Sequence, residues 1–206
     1  QEYRKWFDTL APQVQEHMTA AWGNPPGEAM NGMPAAMVYE GNIVVTGVRY
    51  GNAVVCAQPK RGCAGSRCDG QVCKILHDPE IPPTHQYLAT YRYLENRFGA
   101  DVIVHVGTHG NLEFLPGKGT GLSSDCYPDM AIGTVPHLYI YNSDNPPEGV
   151  IAKRRSYATL VDHLQMVMTQ GGLYDDLDEL ARYLGEYEQA KVADASRAHA
   201  LEHLIL

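Results

Sequence analysis

The run Asp101–Val106 (DVIVHV) sets the tightest limit on what this chain can fold into. It is short, apolar and β-branched, it does not alternate, and it empties into Gly107. A run of that kind is the signature of a strand buried on both faces by helices packed above and below a sheet. A second strand is expected at His137–Tyr141 (HLYIY), followed by the loop Asn142–Pro147 and then a helical pattern. Strand, loop, strand, loop and helix in that order argue for a layered α/β fold. Its sheet is expected to be mostly parallel, with flanking helices, long Gly/Pro functional loops and a helical C-terminal part.

The flanking segments fit that scheme. Pro12–Trp22 reads as a helix stopped by Gly23, and residues 24–34 as a Pro/Gly loop. Ile43–Val48 and Ala53–Ala57 are β-branched runs, either a hairpin or successive strands across a tight turn. Pro59–Asp69 is a loop. Thr84 is a suitable N-cap for a helix over His85–Phe98, with Leu88, Tyr91, Leu94 and Phe98 on one face and Gly99 as its stop. A long loop is expected from Gly107 to about Met130, and a helix from Gly149 to about Thr169. Leu173, Leu177, Leu180, Leu184 and Tyr187 mark a further amphipathic helix with an acidic outer face. The expected organisation is an α/β core over residues 1–170 and a helical segment over 171–206.

Bulk properties exclude some classes. The 206 residues carry a formal net charge of −8, so no basic footprint points to nucleic acid. No stretch is apolar for long enough to span a bilayer. Gln1 is not preceded by a methionine or a signal-like segment, and Leu206 falls inside a helical pattern, so the chain reads as a piece of a longer protein. Five cysteines without a secretory signal suggest a reducing, cytoplasmic setting.

Val104–Glu113 (VHVGTHGNLE) places His105, His109 and Glu113 at four-residue intervals. On a helix they would share a face. Gly107, Thr108 and Gly110 argue instead for a strand that runs out into a glycine loop, at the carboxyl edge where open α/β sheets collect ligands. Imidazole and carboxylate bind divalent first-row metals, and each can accept a proton near neutral pH. The same residues also suit a quieter arrangement, with His105 a satisfied core histidine, Glu113 a turn cap, and Gly117 and Gly119 simple turn-makers. Cys63, Cys68 and Cys73, followed by His77, give a C-x4-C-x4-C pattern that could hold zinc or an iron–sulfur cluster, with His77 or Cys126 as the fourth ligand. The usual spacing is two residues, and three reduced thiols are the alternative. Lys153, Arg154 and Arg155 could pair with carboxylates, or simply form a solvated helix face.

Beyond these local readings, His105–Leu164 (HVGTHGNLEFLPGKGTGLSSDCYPDMAIGTVPHLYIYNSDNPPEGVIAKRRSYATLVDHL) resembles the large subunit of cobaltochelatase, CobN type, and its relative the magnesium chelatase H subunit. Gln58–Gly62 (QPKRG), His77–Glu95 and Trp22–Gly27 (WGNPPG) match as well. The resemblance implies a ligase that forms nitrogen–metal bonds, inserting a divalent metal into a tetrapyrrole. Cobalt into a corrin precursor of cobalamin biosynthesis is the first expectation, magnesium into a porphyrin the alternative. It implies partners that hydrolyse ATP, an AAA+ subunit and an integrin-I-domain subunit, together with the remainder of the large subunit. The absence of a G-x-x-x-x-G-K-[ST] motif agrees with ATP being handled elsewhere. The Cys63–Cys73 insert and the Tyr141–Ser143 stretch depart from common members and leave the metal and the macrocycle open.

Metal insertion has to strip water from the ion and remove two pyrrole N–H protons. Under this resemblance Glu113 is the expected metal ligand or proton acceptor, His109 its partner, and His105 an orienting residue. Lys153, Arg154 and Arg155, with Lys118 and Gln58 as lesser candidates, would hold the substrate's peripheral carboxylates. Asp125, Asp129 and Asp144 would extend the polar wall. A tetrapyrrole carrier without chemistry and a metal-dependent hydrolase using His105, His109 and Glu113 are the competing classes.

Overall fold

The computed structural model describes residues 1–29, 35, 37–62, 79–107, 109–141, 146–162 and 174–205. They form two compact units, Gln1–His163 and Leu164–Leu206. In the first, α1 (Glu2–Phe7) and α2 (Pro12–Trp22) open the chain. Pro12 stands where a missing N–H costs nothing, and Gly23, at φ 74°, stops the helix. Two antiparallel ribbons follow: β1 (Val38–Tyr39) with β2 (Asn42–Ile43), and β3 (Val48–Tyr50) with β4 (Ala53–Val55). The hairpin alternative therefore holds for the second ribbon. The expected strand through Ile43–Val48 is divided, because Glu40 and Gly41 at positive φ turn Ile43 back onto Val38.

The centre of this unit is α3 (His85–Arg92), continued by a π-helical stretch over Tyr93–Phe98. Thr84 caps it, its hydroxyl accepting the Tyr87 N–H at 3.2 Å. Gly99, left-handed at φ 73° and ψ 47°, ends it. Every residue from His85 to Tyr91 is buried, so the helix is enclosed on all sides. Tyr87, Leu88, Tyr91 and Leu94 pack with Phe7, Val14 and Met18 from the first two helices, and with Ile103, Leu112, Leu115, Tyr127 and Ile132.

The sheet is parallel, in the order β5 (Ile103–Val106), β6 (His137–Ile140), β7 (Thr159–Val161). The first crossover contains a single 3-10 turn, Leu112–Phe114, and the short helix α4 (Tyr127–Ile132). The long loop expected from Gly107 to about Met130 is thus interrupted by one turn and passes into a short helix at Tyr127. The second crossover is α5 (Pro146–Ser156). The helix expected from Gly149 to about Thr169 stops early, because Tyr157 adopts φ 53° and the β-branched Thr159 and Val161 enter the sheet as β7. The expectation that β5 is buried on both faces is also corrected. Ile103 is buried, but Val104 and Val106 are 48% and 79% exposed. Their register neighbours Leu138, Ile140 and Val161 continue this second, open face.

The second unit holds α6 (Asp176–Ala193) and α7 (Ala195–Ile205). Asp194 caps α7 by accepting the N–H groups of Ser196 and Arg197. Ala190, Ala198 and Leu201 pack together with Tyr183 and Tyr187. Leu173, the first position of the expected stripe, lies outside the described residues.

Candidate active site

The candidate residues His109 and Glu113 lie beyond the carboxyl end of β5, the edge at which open α/β sheets collect ligands. Leaving β5, the chain turns at Gly107 (φ 142°), presents His109, and winds into the single turn Leu112–Phe114. His105, His109 and Glu113 therefore share no helix face. Glu113 is fully buried, at 0% exposure. Its Oε1 accepts the Tyr139 hydroxyl at 3.1 Å, and that hydroxyl itself accepts the Gly110 N–H. Its Oε2 is buried without a hydrogen-bond partner. Burial lifts the Glu113 carboxyl above the usual carboxylate range; its own backbone N–H, the bond from Tyr139 and nearby His109 pull it back only in part.

Facing it is a residue with no distinguishing mark in the sequence. Glu148, in the first turn of α5, accepts the Tyr141 hydroxyl at 2.7 Å and lies 3.7 Å from His109 Nε2. The Tyr139 and Tyr141 rings meet edge to face at 5.3 Å, so one tyrosine in β6 and one just past its end serve the two carboxylates. His109 and Glu148 side chains are 42% and 25% exposed, so this edge of the cluster opens outward. An acid in the first turn of a helix is ordinary, because the helix dipole favours it there. Alternating tyrosines in a strand read as core, so neither feature announces a site.

Other expected residues support the cluster without belonging to it. Gln58 brackets the loop: its Oε1 accepts the Asn111 N–H at 2.7 Å, and its Nε2 donates to the Tyr91 hydroxyl at 2.9 Å. A Cβ on Gly110 would stand 2.9 Å from that Oε1, so a side chain there would push the Gln58 amide away from the loop. Tyr91 in turn pairs with His105 Nε2 at 3.0 Å. The His105 ring meets His137 at 4.5 Å and Tyr139 at 5.5 Å, behind the site. Arg155 is not free to grip a substrate. Its guanidinium donates to the backbone carbonyls of Glu113 at 2.6 Å, Leu115 at 2.8 Å and Lys118 at 2.9 Å. Lys153, Arg154 and Lys118 are exposed. Asp125 holds the Ser123 hydroxyl and Asp129 that of Tyr157. Cys63, Cys68, Cys73, His77 and Asp144 lie outside the described residues. Among the described residues no three His, Cys, Asp or Glu side chains form a ready-made metal cage. A cavity of about 750 Å³ lies elsewhere, between α1, Pro25, Pro26, Asn42 and the Arg92–Arg97 stretch, and touches none of these residues.

Burial and neighbouring His137 lower the His105 pKa to about 3. Relative to an unfolded value near 6.5, the folded state resists this proton, so the stability contributed by neutral His105 is complete above about pH 6.5 and declines as pH falls towards 3. At pH 5 the expected loss from this residue is about 2 kcal/mol. An NMR titration of the ring should find it neutral at pH 5; protonation near 6.5 would contradict the packing described.

The sequence model described as CobN/Magnesium Chelatase matches residues 1–206, the whole chain. The chain belongs to this family. An uncharacterised protein of Methanocaldococcus jannaschii, MJ1441, is 58% identical over 210 residues, covering 100% of this chain and 16% of that protein. The aerobic cobaltochelatase subunit CobN of Pseudomonas aeruginosa is 38% identical over 205 residues, covering 100% and 16%. The H subunit of the magnesium chelatase of Chlorobaculum parvum is 35% identical over 204 residues, covering 98% and 15%. Among solved structures, the catalytic subunit of cobaltochelatase from Mycobacterium tuberculosis superimposes with a TM-score of 0.69 at 40% identity, over 99% of this chain and 17% of that one. The chain thus spans about a sixth of the length of the curated CobN/magnesium chelatase relatives it matches. No helix among its described residues is long and apolar enough to cross a membrane.

Proposed function

We propose that this stretch carries the chemical centre of a chelatase large subunit, where a divalent metal enters a tetrapyrrole. The observation that supports this best is the pairing of a buried, partnerless carboxylate oxygen on Glu113 with the outward-opening His109–Glu148 edge. A carboxyl raised by burial is a stronger base than one in water, which suits it to taking a pyrrole proton as the metal's charge makes the ring more acidic. Tyr139 and Gly110 hold that carboxyl in place. The exposed Lys153 and Arg154 are left to meet the peripheral carboxylates of the ring. The rest of the large subunit completes the seat for the macrocycle, and AAA+ and integrin-I-domain subunits supply ATP hydrolysis.

Cobalt into a corrin precursor is the preferred reaction. An imidazole at the mouth suits a first-row transition ion, whereas magnesium prefers oxygen ligands alone. The test is the full-length large subunit, purified anaerobically and combined with its ATPase partners. It is offered Co²⁺ with a metal-free corrin precursor, or Mg²⁺ with a porphyrin. ATP-dependent cobalt insertion, followed by absorbance, is expected. Magnesium insertion alone would select the alternative, and tight ring binding without insertion of either metal would reduce the site to a binding module. Metal analysis of the same preparation tests whether Cys63, Cys68, Cys73 and His77 hold zinc or an iron–sulfur cluster.

A further inference from the structure

Resting on that reading, we propose that the incoming metal is held by His109 and Glu148, and that Glu113 is reserved for proton transfer. It takes one of the two pyrrole N–H protons while water at the open edge takes the other as the metal bonds to the ring nitrogens. The two jobs need different surroundings, and the structure supplies them on different elements. Glu148 on α5 and His109 on the β5 loop stand at the open edge, 25% and 42% exposed, where a hydrated ion can arrive and exchange its waters. Glu113, close enough to be coupled electrostatically to both, is buried at 0% exposure, with Oε2 unpaired.

The donor geometry fits one ion. Bonds from a first-row metal to imidazole nitrogen or carboxylate oxygen are about 2.0–2.2 Å. Donor atoms 3.7 Å apart, as His109 Nε2 and Glu148 Oε2 are, can therefore ligate the same ion at a wide angle. The Tyr141 hydroxyl, 2.7 Å from Oε2, fixes the carboxylate's direction. That no third ligand joins them among the described residues suits delivery. Ligation by these two side chains would leave further positions open to water and then to ring nitrogens, as delivery requires.

The experiment uses the full-length large subunit with its ATPase partners, and the variants Glu148→Gln, His109→Asn and Glu113→Gln. For the first two, the apparent KM for Co²⁺ should rise at least tenfold, with the larger share of the loss in KM and with tetrapyrrole affinity retained. The double variant should be little worse than either single one, since both serve one ion. Glu113→Gln should reduce kcat and leave the metal KM in place. A loss confined to kcat in Glu148→Gln, or a wild-type metal KM, would overturn the assignment. A second readout is independent of insertion: the visible d–d absorbance of Co²⁺ added to the large subunit alone should weaken in both mouth variants and persist in Glu113→Gln. Should the wild-type enzyme insert no metal, this spectrum still decides whether the pair binds cobalt, so failure of the proposal is distinguishable from failure of the functional reading.

Discussion

Glu113→Gln in the full-length subunit is expected to slow metal insertion by about a hundredfold to ten-thousandfold, the range typical of losing a positioned general base. The substitution is nearly isosteric. A glutamine carbonyl can still accept the Tyr139 hydroxyl, so the fold of the turn should survive, and tetrapyrrole affinity with it. What disappears is the basic oxygen. The partnerless Oε2 becomes an amide that cannot take a proton. Single-turnover insertion with saturating metal, followed by the absorbance of the metallated ring, isolates this step from delivery and product release. A variant that inserts metal at the wild-type rate would remove Glu113 from the proton pathway and leave the carboxylate as a buried structural group.

Much of this site's address was legible in the chain, and much of its content was not. Glycines at 107 and 110 weigh against the helix that the histidine spacing suggests, and Asp101–Val106 has the composition of a strand; strand end, loop and ligand edge follow from local rules alone. Thr84 and Gly99 bound α3 and its π-helical continuation for equally local reasons. The residues that escaped are those whose role exists only after folding. Glu148 reaches His109 from a different element, and its sequence setting is that of any first-turn acid. The part Gln58 plays in shaping the loop was equally hidden, since its partner at Asn111 is a backbone N–H 53 residues away and has no side-chain signature. β7 was hidden because its break from α5 is made by Tyr157 at positive φ, where a glycine would have been visible. The apolar run of β5 suggested cover on both faces, and the open face carrying Val104 and Val106 is a property of the assembled sheet that no window of sequence contains.

Arg155 gives the second large effect, and it separates a positioning role from the substrate contact its A-K-R-R context suggested. Its guanidinium is half-buried and joins the last turn of α5 to the carbonyls of Glu113, Leu115 and Lys118, so it clamps the segment that carries the buried carboxylate. Arg155→Met should leave those carbonyls without their donors, a cost of about 3 kcal/mol for the segment if each bond contributes about 1 kcal/mol. That free energy is on the order of a hundredfold in amide exchange, to be read by mass spectrometry across residues 112–118 of the full-length subunit. Arg155→Lys should recover little, because one ammonium cannot reproduce a planar fork aimed at three separate oxygens. Insertion should fall with the clamp, while tetrapyrrole affinity changes far less than in Lys153→Gln or Arg154→Gln, whose side chains are exposed. The opposite pattern, weakened ring binding with unchanged exchange over that segment, would mean that the guanidinium leaves its carbonyls for a substrate carboxylate, and the loop would then owe its shape to Gln58, Gly110 and Tyr139 alone.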